Sequence, residues 1–445
     1  MTFLPTFAPM TPLACLIACS LVVCLVGCGN GDHGPDEASV KSAFAIFATC
    51  DTQGWIEPCG CASGQSGGLS RRASLIEQLA GQDDRLLVSV GGAAMGNQPY
   101  DVAKFNAIVA GEEQMGYQVH NIGVSEIGLP LPETDKLTFI STNLSQRDAR
   151  VRPSVLITMG GWRILVLGVV SPSLVLKETE VETPDRAILN AIDEQKEPHD
   201  CVVVLAYMNQ NELRELAASV PEVDVIIGGK TGQSIAPTQS GRTLLTAVSN
   251  KGKFVARVHS GQTGLNWKAD LHEVTSEYEE DAVQQANLKA FRQRLADFDF
   301  SASQTSFVSA PSRDDNQFVG SDACQSCHEE DTEIWKGTTH AHAWKTLEEV
   351  GAHVDSSCQR CHTVGFGGAG GFVNRQSSMN RIDVGCESCH GPSSKHVADE
   401  NVKTPWLAAD SCLACHDHEN SPHFEYDSYW QQVEHGNTES NDAIR

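Results

Sequence analysis

The order of apolar and polar positions divides the chain into short buried runs separated by amphipathic stretches. Apolar or β-branched runs typical of buried strands occur at 43–49, 86–90, 164–170, 202–206 and 223–227. Helical periodicity covers the stretches between them, at 71–79, 102–115, 185–195 and 212–218, and Gly or Pro marks the junctions. This alternation predicts a layered α/β domain.

The pattern changes towards the end of this body. Three runs, at 243–248, 254–259 and 266–274, predict an antiparallel meander that closes the domain. Residues 277–298 follow as a mostly polar helix. Residues 299–317 contain Ser, Asp and Pro without a clear period and predict an interdomain linker. We therefore expect a body at 43–275, a helix and linker at 276–317, and a second domain at 318–445.

The first 27 residues carry no charge, and 13–27 form an apolar stretch typical of a signal-peptide core. The stretch ends Leu25-Val26-Gly27-Cys28, which resembles the lipobox of bacterial lipoproteins. The resemblance implies a signal peptide at 1–27, a lipid anchor on Cys28 and a tether at 28–42. No Asp follows Cys28, which favours the outer membrane. The alternative is an uncleaved N-terminal anchor helix, and both interpretations place the rest of the chain on the exported, periplasmic side.

Composition adds charge and metal-binding side chains to this picture. The 445 residues include 57 acidic and 32 basic side chains, for a net charge of −25, together with 16 cysteines and 16 histidines. A nucleic-acid binder needs the opposite sign of charge, so we expect no nucleic-acid partner. Eight of the cysteines and eleven of the histidines lie within 318–435, so metal chemistry is concentrated in the second domain.

Four Cys-x-x-Cys-His motifs account for these eight cysteines. Such motifs attach c-type haem, because the two cysteines form thioethers with the vinyl groups and the histidine binds the iron from below. Paired zinc ribbons would leave the four histidines unexplained. We therefore expect four haems, attached at Cys324 and Cys327, Cys358 and Cys361, Cys386 and Cys389, and Cys412 and Cys415, with His328, His362, His390 and His416 as proximal iron ligands.

The sequence around these motifs resembles the cytochrome c-554 family of tetrahaem electron-transfer proteins. The resemblance rests on Phe318-Val-Gly-Ser-Asp-Ala-Cys324, Trp335-Lys-Gly-Thr-Thr-His340, the glycine-rich 365–371 and Gly385-Cys-Glu-Ser-Cys-His-Gly-Pro392. It implies three haems with two histidine ligands and one five-coordinate haem. It also implies His340, His396 and His435 as distal ligands, whereas His342, His353, His418 and His423 are expected to be surface residues.

An electron carrier is the function that four closely spaced haems favour. Two alternatives stay open: a haem enzyme acting on a small nitrogen species at an open iron site, and a phosphoesterase-like ligand-binding module coupled to the haems. Residues 318–445 hold 20 acidic and 8 basic side chains. This density of negative charge predicts a redox partner protein with a basic surface.

The body carries a second resemblance, to the calcineurin-like metallophosphoesterase and 5′-nucleotidase family. Five blocks follow the order of that family's motifs: Cys50-Asp-Thr-Gln53, 87–92, 116–126, 205–208 and Ile226-Ile-Gly-Gly-Lys230-Thr. The resemblance implies a layered metallophosphoesterase-like sandwich, followed by the small, mainly α, irregular multihaem domain. The metal ligands of the family are replaced at Gln53, Gly92, Val124, Ser125, Tyr207, Lys230 and Gly232, and Asp51 alone remains.

One Asp cannot hold two metal ions, so phosphoesterase activity is not expected. Three cysteines, Cys50, Cys59 and Cys61, lie near the expected cleft, and Cys201 is expected close by. They predict either a disulfide with one free thiol, which suits an exported protein, or a thiolate site for an additional metal.

Overall fold

A computed structural model describes residues 41–58, 65–145, 147–261, 264–307, 315–404 and 408–436. The predicted signal peptide, Cys28, Cys59 and Cys61 lie outside these ranges. Within them, no helix is both long and apolar enough to cross a membrane.

The described residues form twelve strands and thirteen α-helices. The strands are β1 Phe44–Thr49, β2 Asp84–Ser89, β3 Tyr117–Asn121, β4 Thr138–Ile140, β5 Ser154–Met159, β6 Trp162–Val170, β7 Cys201–Tyr207, β8 Val225–Gly229, β9 Ile235–Ser240, β10 Thr243–Ala247, β11 Phe254–Gly261 and β12 Gly264–Glu273. The helices are α1 Leu69–Ala80, α2 Pro99–Met115, α3 Pro184–Glu194, α4 Gln210–Ser219, α5 Ala282–Phe298, α6 Asp322–Gln325, α7 Glu329–Lys336, α8 Ala343–Glu349, α9 Ser356–His362, α10 Cys386–His390, α11 Ser394–Ala398, α12 Ala408–Leu413 and α13 Tyr426–Trp430.

Two six-stranded sheets form the body. Their orders are β12-β11-β1-β2-β3-β4 and β5-β6-β7-β8-β10-β9. Alternate residues of the fully buried β7 face opposite sides. Val203, Leu205 and Tyr207 join the apolar core shared by both sheets, whereas Val202 and Val204 pack in a second core that includes residues of α4. The predicted layered α/β fold is therefore confirmed.

The predicted antiparallel meander is correct for two of its three strands. β11 and β12 pair antiparallel beside β1, whereas β10 belongs to the other sheet, where it runs parallel to β8 and antiparallel to β9. Both faces of β10 are buried, which suits a strand inside an α/β sheet. Four strands of the body, β3, β4, β5 and β9, were not predicted.

Helix α5, placed by the sequence in the segment before the second domain, packs on the body against α1 and α2. Two of its buried amides bind carbonyls of α2: Gln284 Nε2 donates to Gly111 O at 3.2 Å, and Asn287 Nδ2 donates to Ala107 O at 2.9 Å. These bonds satisfy polar groups that burial would otherwise leave unpaired.

The C-terminal part consists of the short helices α6 to α13 and connecting loops, which confirms the predicted mainly α, irregular region. Its described apolar core is small and centres on Trp344, Leu347, Ala352 and Phe372. Such a core is modest for more than a hundred residues, so a large bound group would add much of the buried apolar surface.

Candidate functional site

The carboxyl ends of the parallel strands of both sheets meet at one edge of the body. Asp51 follows β1, Tyr207 ends β7 and Lys230 follows β8. Ligands of α/β proteins bind at such edges. Asp51, Gln53 and Lys230 have φ angles of 56°, 49° and 64°, a region that residues other than glycine rarely adopt and that often marks a functional site.

Asp51 is only 4% exposed and is fully engaged by protein groups. The hydroxyl of Tyr207 donates to Oδ1 at 3.0 Å and that of Ser249 donates to Oδ2 at 3.2 Å. Lys230 Nζ lies 4.0 Å from Oδ1. Burial, together with the charge of Asp51, raises the pKa of Tyr207, so the phenol stays a donor. An ammonium group therefore balances the carboxylate at this edge.

The two metal ions that the second resemblance implies do not fit these residues. No group of three or more His, Cys, Asp or Glu side chains suited to a metal occurs in the described ranges. Gly92 shows why the bridging Asp cannot return. A Cβ there would stand 2.6 Å from the ring of Tyr207 and 2.9 Å from Asp51 Oδ1. The arrangement excludes the metal-bridging geometry of a two-metal hydrolase.

Glu126 is a structural anchor that the sequence analysis missed. It is 1% exposed, and its carboxylate accepts the backbone N–H groups of Gly92, Ala93 and Ala94. Three such donors fix the loop after β2 against the 3₁₀ turn that holds Glu126. In the sequence, the only signal for Glu126 is its position in the motif block 116–126, three residues after Gly123.

The two described cysteines of the body lie far apart. Cys50 is 1% exposed and its thiol donates to Gly91 O at 3.4 Å, while burial, then Asp51 and Glu126, raise its pKa. Cys201 begins β7, whereas Tyr207 at the site ends it, about 20 Å further along the strand. The expectation that Cys201 lies near the cleft is therefore wrong. Both are free thiols. The disulfide or metal predicted with Cys59 and Cys61 falls on residues outside the described ranges.

A cavity of about 360 Å³ opens beside Asp51. Asp51, Tyr207, Lys230 and Lys251 line it from the strand ends. The far wall comes from outside the sandwich, because Phe307 follows α5 and Arg360 belongs to α9. The cavity thus lies where the body meets the helix of the second Cys-x-x-Cys-His motif.

Helix α9 is held to the body by charged and polar bonds. Asp355, which caps α9 by accepting from Ser357 N at 2.8 Å, also accepts a hydrogen bond from Tyr100 in α2 and lies 3.9 Å from Lys104 Nζ. Arg375 Nε and Asp299 Oδ1, 2.9 Å apart, join the C-terminal part to the end of α5. These contacts fix the second motif against the body.

The four motifs lie next to one another in a definite spatial order. The thiols of Cys324 and Cys386 are close neighbours, and so are those of Cys361 and Cys415. Ser411 Oγ, next to Cys412, donates to Cys389 O at 3.2 Å. The first motif therefore lies beside the third, the third beside the fourth, and the fourth beside the second.

Three motif histidines each face a second imidazole. The ring centroids of His328 and His396 are 6.2 Å apart, those of His416 and His340 are 6.2 Å apart, and those of His390 and His435 are 6.0 Å apart. Two metal–nitrogen bonds of about 2 Å, with the half-widths of two rings, separate centroids by about 6 Å. The gaps therefore fit an iron atom held by both rings.

Hydrogen bonds at Nδ1 orient three of these six rings. Nδ1 of His416 contacts Ser421 Oγ at 2.8 Å, that of His396 contacts Val402 O at 2.8 Å and that of His435 contacts Val433 O at 2.7 Å. An Nδ1 that donates leaves Nε2 with a free lone pair, the form of histidine that binds iron.

His362, in the second motif, has a different environment. Its Nδ1 contacts Ala343 O at 2.7 Å. The other three motif histidines each face a second imidazole, but in the described ranges no imidazole lies opposite His362 in this way. His353, expected at the surface, is only partly so. Its ring packs edge-on against Trp344 with centroids 6.1 Å apart, and burial lowers its pKa.

The C-terminal part, joined to an α/β sandwich, has cysteine pairs with adjacent histidines and facing imidazoles, and in this it resembles a c-type cytochrome. Residues 323–391 match the family described as cytochrome c554 and c-prime. The curated cytochrome c-554 of Nitrosomonas europaea is 31% identical over 144 residues, which cover 24% of this chain and 61% of that protein.

Solved structures match the body. A 5′-nucleotidase precursor from Thermus thermophilus has a TM-score of 0.50 and 19% identity, over 57% of this chain and 59% of that one. A calcineurin-like phosphoesterase from Bacillus subtilis has a TM-score of 0.46 and 16% identity, over 57% and 98%. This chain spans about three fifths of the Nitrosomonas and Thermus proteins. It joins a cytochrome c-554-like C-terminal part to a body with the 5′-nucleotidase fold.

Proposed function

We propose that the protein is an exported multihaem cytochrome that carries electrons through four covalently bound haems, and that its body does not hydrolyse phosphoesters. One observation carries the proposal. Three motif histidines each face a second imidazole across 6.0–6.2 Å. Such a gap matches the separation that two imidazoles bound to one iron atom would have.

Each residue type has a distinct task in this proposal. The motif cysteines would hold the porphyrins, and the histidine that follows each pair would bind the iron. His396, His340 and His435 would supply the second iron ligand beside His328, His416 and His390. Bound haem supplies one-electron redox chemistry. The Nδ1 hydrogen bonds of His416, His396 and His435 would hold those three rings with Nε2 free to bind iron.

The order of the motifs supports a single electron path. Contacts between cysteines join the first motif to the third and the second motif to the fourth, and Ser411 joins the third to the fourth. Electrons would pass along the order first, third, fourth, second. The second motif, at one end, is the one that contacts the body through Asp355.

Counting the covalently bound haems tests the proposal. We expect the intact mass of the purified protein to exceed that of the polypeptide by four haems, and the reduced protein to show c-type absorbance bands. A variant with Cys412 and Cys415 changed to Ser should lose one haem. Changing the buried Cys201 to Ser should leave the count at four. A mass without haem would overturn the proposal.

A second candidate function rests on His362. Since no facing imidazole is present in the described ranges, iron held there would keep an open position, where a small nitrogen species such as nitric oxide could be reduced or oxidised. Nitric oxide and carbon monoxide titrations distinguish the two functions. Spectral change at one haem in four supports the enzyme, whereas no change supports the carrier.

The location and partners of the protein are part of the proposal. We infer a lipoprotein anchored through Cys28, with the outer membrane favoured, and a redox partner with a basic surface. The uncharged 1–27 and the acidic C-terminal part support these inferences. Mass spectrometry of the mature N-terminus tests the anchor: a lipidated Cys28 supports it and an unprocessed Met1 excludes it.

The absence of hydrolysis follows from the residues around Asp51. Tyr207, Ser249 and Lys230 engage the carboxylate that would bind a metal. We expect no release of nitrophenol from p-nitrophenyl phosphate with Mn²⁺, Mg²⁺ or Zn²⁺ added. Hydrolysis that disappears in Asp51→Ala would contradict this part of the proposal.

A further inference from the structure

The cavity beside Asp51 has an unusual combination of walls. Three cations reach it from three separate segments: Lys230 after β8, Lys251 between β10 and β11, and Arg360 in α9. Among the described residues that line it, Asp51 is the one acidic side chain. A volume of about 360 Å³ is at the small end of the range for ligand pockets, so it suits a small molecule.

The cations are not equally neutralised. Lys230 lies 4.0 Å from Asp51, whose two oxygens are also bound by Tyr207 and Ser249. Lys251 pairs with Glu419 and stacks on Trp55, with Nζ 4.9 Å from the ring centre. Arg360 has no ion pair in the described ranges. Positive charge is thus left over at the Arg360 side of the cavity.

The cavity also has an apolar wall, next to the wall formed by the three cations. Trp55, Met95, Leu174 and Phe307 line the same space. The guanidinium of Arg360, an exposed residue, lies over the Phe307 ring, 5.0 Å from its centre, and this contact places the charge beside the apolar wall. A ligand with an anionic head and a flat apolar body would match both walls.

Arg360 connects this cavity to the second motif. It is one of the two residues between Cys358 and Cys361. On an α-helix it points about 200° around the axis from Cys358 and about 100° from Cys361. The structure agrees, because Cys358 packs against the small core around Trp344 and Phe372 whereas Arg360 lines the cavity. The thin helix α9 therefore separates the cavity from the face that would carry haem.

We propose that the cavity binds a small organic anion, a carboxylate or phosphate on an aromatic ring, with the head group at Arg360, Lys230 and Lys251 and the ring against Trp55 and Phe307. We also propose that this binding is linked to the oxidation state of the haem attached at Cys358 and Cys361; this second part rests on the proposed function. A nearby negative charge stabilises oxidised iron, so by linkage the oxidised protein binds the anion more tightly.

Calorimetry on the full haem-containing protein tests the binding, with phenyl phosphate and benzoate as probes. We expect one molar equivalent to bind. Inorganic phosphate, which lacks the ring, should bind at least about tenfold more weakly, and uncharged phenol should show no binding. If both ring-bearing anions fail to bind, or if phenol binds equally well, the site is overturned.

Variants separate this cavity from the rest of the surface. Arg360→Gln and Lys230→Gln should each weaken phenyl phosphate binding about tenfold or more. Arg214→Gln, an equal loss of charge on the exposed face of α4, should leave it unchanged. Equal affinity in all four proteins would overturn the assignment. The haem absorbance of each variant, measured on the same sample, shows whether α9 is intact.

The redox link has its own readout. We expect phenyl phosphate to bind the oxidised protein several-fold more tightly than the dithionite-reduced protein, and to lower the midpoint potential of one haem. Equal affinity in the oxidised and reduced states overturns the coupling to the haem but leaves the anion-binding site standing. A sample without c-type absorbance overturns the proposed function. In that case the effect of Lys230→Gln on phenyl phosphate binding still tests the anion-binding site.

Discussion

The phenol of Tyr100, in the first turn of α2, donates a hydrogen bond to the carboxylate of Asp355, which caps the helix carrying Cys358 and Cys361. Both side chains are buried. This hydrogen bond between the body and the helix of the second motif is thus shielded from water, where the loss of one donor to a carboxylate is costly.

Tyr100→Phe should destabilise the protein by about 1–3 kcal/mol, because Asp355 loses a buried donor while the ring volume is kept. Urea denaturation followed by circular dichroism measures the change. Tyr278→Phe is the matched control, since the Tyr278 hydroxyl makes no hydrogen bond in the described ranges. Equal stability of Tyr100→Phe and wild type would contradict the importance of this contact.

Asp355 also makes stability depend on pH. Burial alone would raise its pKa, but Lys104 and the hydrogen bonds from Ser357 and Tyr100 outweigh burial and leave the pKa below the ordinary 3.8. A carboxyl group with a lowered pKa contributes stability above the unfolded value, and this contribution is lost as pH falls through the folded value. We expect the urea midpoint to fall below about pH 4, and to fall less steeply in Asp355→Asn. If the urea midpoint falls with pH equally in wild type and in Asp355→Asn, titration of Asp355 is not the cause of the fall.

His340→Ala should convert one iron from low spin to high spin, because the ring facing His416 is removed. Electron paramagnetic resonance of the oxidised protein measures this, and the haem content should stay constant. His342→Ala removes an exposed imidazole two residues away and should leave the spectrum unchanged. Identical spectra for the two variants would remove His340 from the iron ligands.

Gly92→Ala should destabilise the body by about 2–4 kcal/mol, through its φ of 77° and the 2.6 Å approach of a new Cβ to Tyr207. Thermal unfolding measures the loss. Gly232 also has a positive φ, 73°, but a Cβ there would meet no atom within 4 Å. Gly232→Ala therefore measures the cost of the backbone conformation without the crowding. If both variants unfold at one temperature, crowding at Tyr207 is unimportant.

Electron exchange with cations should weaken as salt is added, because the C-terminal part carries 20 acidic and 8 basic residues. We expect the rate with cationic hexaammineruthenium to fall between about 10 and 500 mM NaCl and the rate with anionic ferricyanide to rise. Changing Glu329 and Glu330 to Gln should make the rate with hexaammineruthenium less dependent on salt, whereas Glu215→Gln in α4 should leave that dependence unchanged. A salt-independent rate with the cation would argue against a basic partner.

Sequence patterns located most of the fold because most strands of the body are buried on both faces. β3 escaped detection because its sequence, Tyr-Gln-Val-His-Asn, is mostly polar. Its His120 is nevertheless fully buried, where it pairs with Glu112 at 2.7 Å. β9 is a half-exposed edge strand with a Pro, and such strands lack a clear apolar period.

The candidate site was only partly predictable for a related reason. Motif spacing located the haem-attaching cysteines and the lost metal ligands. It could not indicate that Lys251 and Arg360 approach Asp51, because they are 200 and 309 residues distant along the chain. The position of Arg360 depends on how α9 docks on α2, and that of Lys251 on how the two sheets pack; local periodicity encodes neither.

Lys230 gives the edge beside Asp51 a positive charge that is part of the polypeptide. An exchangeable ion would make this charge depend on the surrounding metal supply and on competing chelators. An ammonium group on a side chain is synthesised with the protein in fixed stoichiometry. The charge that Lys230 sets against Asp51 is therefore the same in metal-starved and metal-rich surroundings, and dialysis against a chelator would leave this charge in place.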